Sequence, residues 1–110
     1  MPKLKRTTRF TILQDLYTIK ACKEGDYSAF TILREDYSRS ETSARQRWTN
    51  YLSQLQPSQL DLIPKLSEKY PNYYLLINSN QITSIREVGE PIKIDIEDAL
   101  GDMQDKMGSS

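Results

Sequence analysis

The chain has 110 residues, with 15 Lys and Arg against 15 Asp and Glu, no histidine and one cysteine. This length suits one small domain with a modest core. Without histidine, and with too few thiols for a disulfide or a zinc site, we expect no metal. The sequence also has no glycine-rich phosphate loop and no nucleophile beside a base, so we expect no cofactor and no enzyme activity. No apolar run approaches the roughly 20 residues that span a bilayer, and no signal-peptide pattern opens the chain, so we expect a soluble intracellular protein without membrane contact.

The net charge of zero hides a difference between the two halves. Residues 1–56 carry ten basic and six acidic side chains, a net charge of +4, whereas residues 57–110 carry five basic and nine acidic ones, a net charge of −4. Such a split favours a polyanion-binding half joined to an acidic tail or partner surface. Ordinary variation in surface charge is the alternative explanation.

The first element in chain order is a basic arm, which we expect to be flexible over residues 1–9. Thr11 and Gln14 then have the spacing of a capping box, and apolar residues recur behind them at helical intervals. Gly25 is a typical helix stop. The pattern predicts a first helix over about residues 12–24.

Two further helices follow with short links. Asp26 can cap the second, whose apolar stripe runs to Tyr37. Ser40 can cap the third, which we place over about residues 41–54 because Pro57 ends the pattern. The last two helices, joined by a short turn, suit helix-turn-helix geometry.

The pattern changes after Pro57. It predicts a fourth helix over residues 58–70, with Pro64 tolerated only in its first turn. Strands are predicted at 73–77, 81–88 and 92–96, the first two as a hairpin. We therefore divide the chain into the arm, a helical domain at 10–56, an extension at 57–97, and an acidic tail at 98–110 that we expect to be disordered.

Three large aromatic residues, Phe10, Phe30 and Trp48, are spaced so that each falls in or beside one helix. We expect them to be structural and to meet in a single core of the three helices. This spacing alone indicates an aromatic centre and says nothing of function.

The stretch 39–52 carries a distinctive set of residues: Arg39, Ser40, Ala44, Arg45, Arg47, Trp48, Asn50 and Leu52. At these positions it resembles the third helix of a Myb/SANT repeat. The two earlier parts of the repeat also have counterparts: the first is Phe10-Thr11 with Asp15, and the second is Phe30 with Ile32 and Leu33. Two departures accompany them, since Phe replaces Trp at both positions and the acidic run of helix 1 is reduced to Asp15. The resemblance covers residues 9–53 and implies a mainly α, three-helix Myb- or homeodomain-like helix-turn-helix bundle. In this chain the bundle is followed by the short helix and the small β-hairpin or three-strand extension that the pattern after Pro57 predicts.

The resemblance also implies that helix 3 enters the DNA major groove. Carried over by position, the base-contacting residues are Thr42, Arg45, Gln46 and Thr49. Their chemistry agrees, since Arg can bond guanine, Gln can bond adenine, and the Thr methyl can touch thymine. An ordinary solvated helix face is the alternative.

Seven further residues are candidates for contacts to phosphates or to the minor groove: Lys3, Lys5, Arg6, Arg9, Arg39, Arg47 and Asn50. Two alternatives stay open at this point. Arg47 could pair with a nearby acid, and the basic N-terminal cluster could be a solvated tail or an import signal.

These features predict a DNA-binding module that contacts double-stranded DNA, within a larger nuclear complex if the source is eukaryotic and in the cytoplasm otherwise. The alternative is a SANT-type protein-interaction module, an accessory subunit of a chromatin or DNA-modifying complex. It would dock a protein partner, or a second copy of itself, through residues 57–110, where the hairpin could offer an edge strand. The three arginines between Arg39 and Leu52, against Glu41 alone, favour DNA over a cationic histone tail.

Overall fold

The structure, a computed structural model, describes residues 9–101. This part of the chain is mainly helical, with five α-helices, a further helical segment at 96–101 and a small antiparallel sheet. The helices are α1 (Ile12–Cys22), α2 (Ser28–Tyr37), α3 (Glu41–Asn50), α4 (Pro57–Leu60) and α5 (Leu62–Lys69), and the strands are β1 (Tyr73–Asn78), β2 (Gln81–Glu87) and β3 (Lys93–Asp95).

The start of α1 confirms the predicted capping box. The backbone N–H of Gln14 donates to Thr11 Oγ1 at 3.2 Å, and the N–H of Thr11 donates to Gln14 Oε1 at 3.3 Å. Two of the N–H groups that a helix start leaves without partners are satisfied in this way. The helix ends at Cys22, two residues before the predicted end.

The link between α2 and α3 is three residues long. Ser38 ends α2 in the left-handed conformation, with φ of 57°, and Ser40 caps α3 by accepting from the N–H of Ser43 at 3.1 Å. Asp26 accepts from the N–H of Ser28 ahead of α2, although Tyr27 occupies the N-cap position.

The third helix is shorter than predicted. It ends at Asn50 because Tyr51 leaves helical geometry, with φ of −132°, and a 3-10 turn follows over Leu52–Gln54. This change of direction turns Leu52 and Leu55 into the core, where both are buried. A continued α-helix over 41–54 is therefore wrong.

The single helix predicted after Pro57 is instead two helices. Pro57 opens α4, and Asp61 separates α4 from α5. Pro64 lies in the first turn of α5, where no intrahelical partner exists for a backbone N–H, so its missing donor costs nothing.

The three strands form one antiparallel sheet in the order β1-β2-β3. Ser79 and Asn80 make the two-residue turn between β1 and β2, and both have positive φ, as the tight hairpin turns require. The pairing shifts between Leu76 and Ile77, where β2 has one extra residue. β3 covers three residues, fewer than the predicted 92–96.

The main hydrophobic core joins both halves of the chain. Ile12 and Ile19 of α1 pack in one cluster with Ile63 and Leu66 of α5, and residues of the 3-10 turn and of the sheet complete it. The predicted boundary after residue 56 thus does not separate two cores, because the inner face of α1 is covered by residues from beyond Pro57.

A second, smaller cluster lies between α1, α2 and α3. Phe10 and Phe30 are buried in it, together with Ala44 of α3. Trp48 is half-buried and packs against the main cluster instead. The prediction that the three aromatic residues meet in one core is therefore wrong, because α1 is buried on two sides and each side has its own set of partners.

The predicted disordered tail begins too early. Residues 96–101 are helical, and Ala99 is fully buried in the main cluster. The predicted tail is therefore wrong for residues 98–101, which bury apolar surface against the sheet and helices. The rest of it, 102–110, lies outside the described residues.

Candidate nucleic-acid interface

The outer face of α3 carries the four predicted base-contacting residues. Its inner side is held by Ala44, which is fully buried, and by the half-buried Trp48. All four predicted side chains are exposed, and together with Asn50 they line a shallow depression of about 260 Å³: Thr42, Arg45, Gln46 and Thr49. Among the residues that the structure describes, α3 is thus anchored on one side and open on the other.

Arg45 is held in place on this face by two neighbours. Its Nε donates to Glu41 Oε2 at 2.8 Å, one helical turn earlier, and its Nη2 lies 2.8 Å from the same oxygen. Its guanidinium also lies 4.9 Å from the centre of the Phe30 ring. The pair with Glu41 is solvent-exposed, and such pairs are weak enough to exchange for a stronger acceptor.

Arg47, predicted as a phosphate contact, points into the protein instead. Its Nε donates to Asp15 Oδ1 at 2.9 Å and its Nη2 to Asp15 Oδ2 at 2.8 Å. The Arg47 side chain is 14% exposed and that of Asp15 is 0% exposed. The alternative of pairing with an acid is therefore confirmed for Arg47, because two of its N–H groups donate to Asp15 inside the fold. Its contact to a phosphate stays a prediction.

Burial and pairing act against each other at this ion pair. Burial raises the pKa of the Asp15 carboxyl, and the hydrogen bonds and charge of Arg47 oppose that rise. Burial alone would lower the pKa of the Arg47 guanidinium, but Asp15 raises it, so Arg47 stays charged. The pair ties α3 to α1 through a charged contact inside the protein.

Arg39 and Arg9 lie at one end of the interface. Arg39 Nε donates to Gln14 Oε1 at 3.0 Å, its Nη2 donates to the carbonyl of Arg9, and its guanidinium lies 4.4 Å from the centre of the Phe10 ring. Arg39 is half-buried, whereas Arg9 is exposed and stacks 4.8 Å from the centre of the Tyr74 ring. These contacts place two positive charges between the start of α3 and β1.

The remaining candidates for phosphate contacts fall into two groups. Asn50 is exposed at the end of α3. Lys3, Lys5 and Arg6 lie outside the described residues. Without these three cations, residues 9–56 carry seven basic and six acidic side chains, a net charge of +1, so most of the excess positive charge of this half belongs to the N-terminal arm.

This region also contains a groove that the sequence did not predict. A groove of about 1150 Å³ separates α3 from β1, and Gln46 and Asn50 line both this groove and the shallow depression. The hairpin was predicted to offer an edge strand, but strand alternation carries no information about which helix lies beside that edge.

Residues 9–101 contain no group of three or more Cys, Asp or Glu side chains placed to hold a metal ion. None of the helices within this range is long and apolar enough to cross a membrane.

Comparison with known proteins gave no relative. No family model, curated protein or solved structure matches this chain.

Proposed function

We propose that this protein is a DNA-binding module of the homeodomain-like helix-turn-helix kind, with α3 as the helix that enters the major groove. The three-residue link between α2 and α3 and the packing of α1 against both helices suit this architecture. A ten-residue helix is about 15 Å long, enough to place three or four side chains against base edges.

The observation that carries this proposal is the composition of the exposed face of α3. Thr42, Arg45, Gln46 and Thr49 lie together on it, and their hydroxyl, guanidinium and amide groups are those that discriminate base pairs in the major groove. The opposite side of α3 is fixed by Ala44, Trp48 and Arg47. A rigid helix with an open polar face is the arrangement that direct readout needs.

The charge distribution supports different roles for α3 and the N-terminal arm, with base contacts made by α3 and most phosphate contacts made by the arm. Since the described part of the first half is almost neutral, Lys3, Lys5 and Arg6 supply most of the positive charge for phosphate contacts. Arg9 and Arg39 continue this charge toward the start of α3. Five cations predict a slope of about −4 to −5 for log affinity against log salt.

The test begins with selection of duplexes from a random-sequence pool by the full-length protein. Anisotropy titrations then compare the wild type with Arg45→Ala and Gln46→Ala on the selected duplex, and we expect each variant to bind about 5- to 150-fold more weakly. Arg34→Ala is the matched control, because Arg34 is an exposed arginine on α2 with its own acidic neighbour, Glu35.

Three outcomes would count against DNA recognition by α3. These are a pool with no enriched sequence, binding that does not depend on salt, and an Arg45→Ala variant that binds the selected duplex as tightly as Arg34→Ala does. Thermal unfolding of each variant is the control for folding. We expect unchanged unfolding temperatures, so that a loss of binding reflects lost DNA contacts and not a loss of fold.

A further inference from the structure

The guanidinium of Arg45 is held by two contacts that meet it from different directions. Its Nε and its Nη2 both lie 2.8 Å from Glu41 Oε2, and Glu41 comes one helical turn earlier on α3. Its flat side lies over the buried Phe30 ring, 4.9 Å from the ring centre. Among residues 9–101, Glu41 is the one group that accepts from Arg45. An exposed arginine is thus restricted both at one edge and at one face.

The position of the Glu41 oxygen shows which edge of the guanidinium it occupies. A guanidinium carries five N–H groups in a planar fork. An oxygen at the same distance from Nε and Nη2 lies on the edge that these two nitrogens share. The edge between Nη1 and Nη2 still has two parallel donors, which is what bidentate bonding to guanine O6 and N7 needs. Arg45 can therefore contact a guanine while Glu41 stays bound to it.

Glu41 also changes the charge that Arg45 presents to DNA. The carboxylate and the guanidinium together have no net charge, and about half of each side chain is exposed, at 52% and 53%. Attraction to phosphates depends on positive charge, whereas a base contact depends on the direction of the donors. A neutralised Arg45 gains little from a phosphate but keeps its directional donors. The pair therefore favours base contact over phosphate contact.

We propose that Glu41 is a positioning residue that determines specificity: it holds Arg45 for bidentate contact with one guanine and opposes the capture of Arg45 by phosphates. This inference rests on the proposed DNA binding by α3. An exposed ion pair contributes little to stability, so the effect of Glu41 is expected in binding and not in folding. The contrasting behaviour is an Arg45 that leaves Glu41 when DNA binds, in which case the acid only repels DNA.

The test uses the Glu41→Gln variant, which removes the charge and keeps the length of the side chain. Anisotropy titrations compare three duplexes: the one selected by the full-length protein, the same duplex with one guanine changed to adenine, and an unrelated duplex. The guanine to change is the position at which Arg45→Ala loses its preference. We expect Glu41→Gln to reduce the discrimination between guanine and adenine about 2- to 12-fold, the cost of immobilising one flexible side chain.

The unrelated duplex measures the second part of the proposal. Without Glu41 the charge of Arg45 is open to phosphates, so Glu41→Gln is expected to bind this duplex more tightly. The slope of log affinity against log salt is expected to become steeper by about one. Glu35→Gln is the matched control, because it removes the same charge on α2, where Glu35 pairs with Arg34. We expect it to leave both the discrimination and the slope unchanged.

The NMR signal of the Arg45 Nε–H reports the pair directly, with and without DNA. In the wild type we expect it to exchange with solvent more slowly than the Arg34 Nε–H, because Arg34 approaches Glu35 through Nη2 at 3.7 Å. The protection is expected to be lost in Glu41→Gln. In the wild type it is expected to persist when the selected duplex binds, because the duplex takes the other edge of the guanidinium.

The proposal is overturned if Glu41→Gln keeps the wild-type discrimination, if Glu41→Gln and Glu35→Gln have equal effects, or if the Arg45 Nε–H loses its protection when the selected duplex binds. Thermal unfolding of Glu41→Gln is expected to be unchanged. If Arg45→Ala binds the selected duplex as the wild type does, DNA recognition by α3 fails and the role of Glu41 fails with it. If Arg45→Ala loses the guanine preference and Glu41→Gln keeps it, only the role of Glu41 fails.

Discussion

Arg47 of α3 and Asp15 of α1 form a two-bonded ion pair, with N–O distances of 2.9 and 2.8 Å, in a site where Asp15 has no exposure to solvent. Thirty-two residues separate them in the sequence. The pair fixes the position of α3 against α1 from the side opposite to the proposed DNA-binding face. It therefore sets the orientation of that face without being part of it.

We expect Arg47→Met to destabilise the protein by about 3–5 kcal/mol, because it leaves the Asp15 carboxyl buried without a partner. Adding Asp15→Asn removes the buried charge, so the double variant should recover much of that loss. Urea unfolding followed by Trp48 fluorescence gives these free energies. Arg45→Met is the matched control: its pair with Glu41 is exposed, and we expect little change in stability. Equal losses for Arg47→Met and Arg45→Met would refute a special role for the buried pair.

The stability of Arg47→Met should also depend on pH. Burial raises the pKa of Asp15, and the variant removes the hydrogen bonds that oppose the rise. A raised pKa in the native state means that folding favours the protonated carboxyl. Its contribution is therefore greatest below the unfolded value of about 4 and is lost as pH rises through the native value. The wild type should show the same sign with a smaller slope.

Unfolding free energies between pH 4 and pH 8 test this dependence. We expect the gap between wild type and Arg47→Met to narrow as the pH falls, and the Asp15→Asn/Arg47→Met double variant to lose the extra slope. Parallel curves for the wild type and Arg47→Met would show that Asp15 does not titrate differently in the variant.

The N-terminal arm should control the salt dependence of DNA binding. Replacing Lys3, Lys5 and Arg6 together by Ala is expected to reduce the slope of log affinity against log salt by about three, and to leave the preferred sequence unchanged. Anisotropy titrations over a salt series measure the slope. A control with the same charge loss, Lys23→Ala/Arg34→Ala/Lys65→Ala, changes exposed residues away from α3 and should keep the wild-type slope. Equal slopes of log affinity against log salt in the two triple variants would show that the arm does not contact the DNA phosphates.

The helical half should not fold without the second half. A chain of residues 1–56 loses the partners of Ile12 and Ile19 on α5, and leaves Leu52 and Leu55 without the sheet. We expect weak helical circular dichroism and poor amide dispersion from it, whereas a chain that ends at residue 101 keeps the whole cluster and should fold. A well-dispersed spectrum of residues 1–56 would contradict the shared core.

The local features of this protein were predictable from the sequence because their causes lie within a few residues. The capping box of Thr11 and Gln14, the Ser40 cap and the hairpin turn each depend on hydrogen bonds or backbone angles between near neighbours. The exposed face of α3 follows from helical spacing, so Thr42, Arg45, Gln46 and Thr49 were placed together correctly.

The balance of 15 basic and 15 acidic residues, and the two halves of opposite charge, were also properties of the sequence alone. What the tertiary structure decided is where each of these charges lies and which groups it contacts. Arg47 is used by Asp15 and Arg45 is paired with Glu41, while Arg9 and Arg39 line a groove that no helix or strand pattern could locate. Side-chain periodicity shows which face of an element is apolar, but not which distant element covers it. The pairing of α1 with α5, the burial of Asp15, and the position of the β1 edge beside α3 all depend on contacts between residues far apart in the chain.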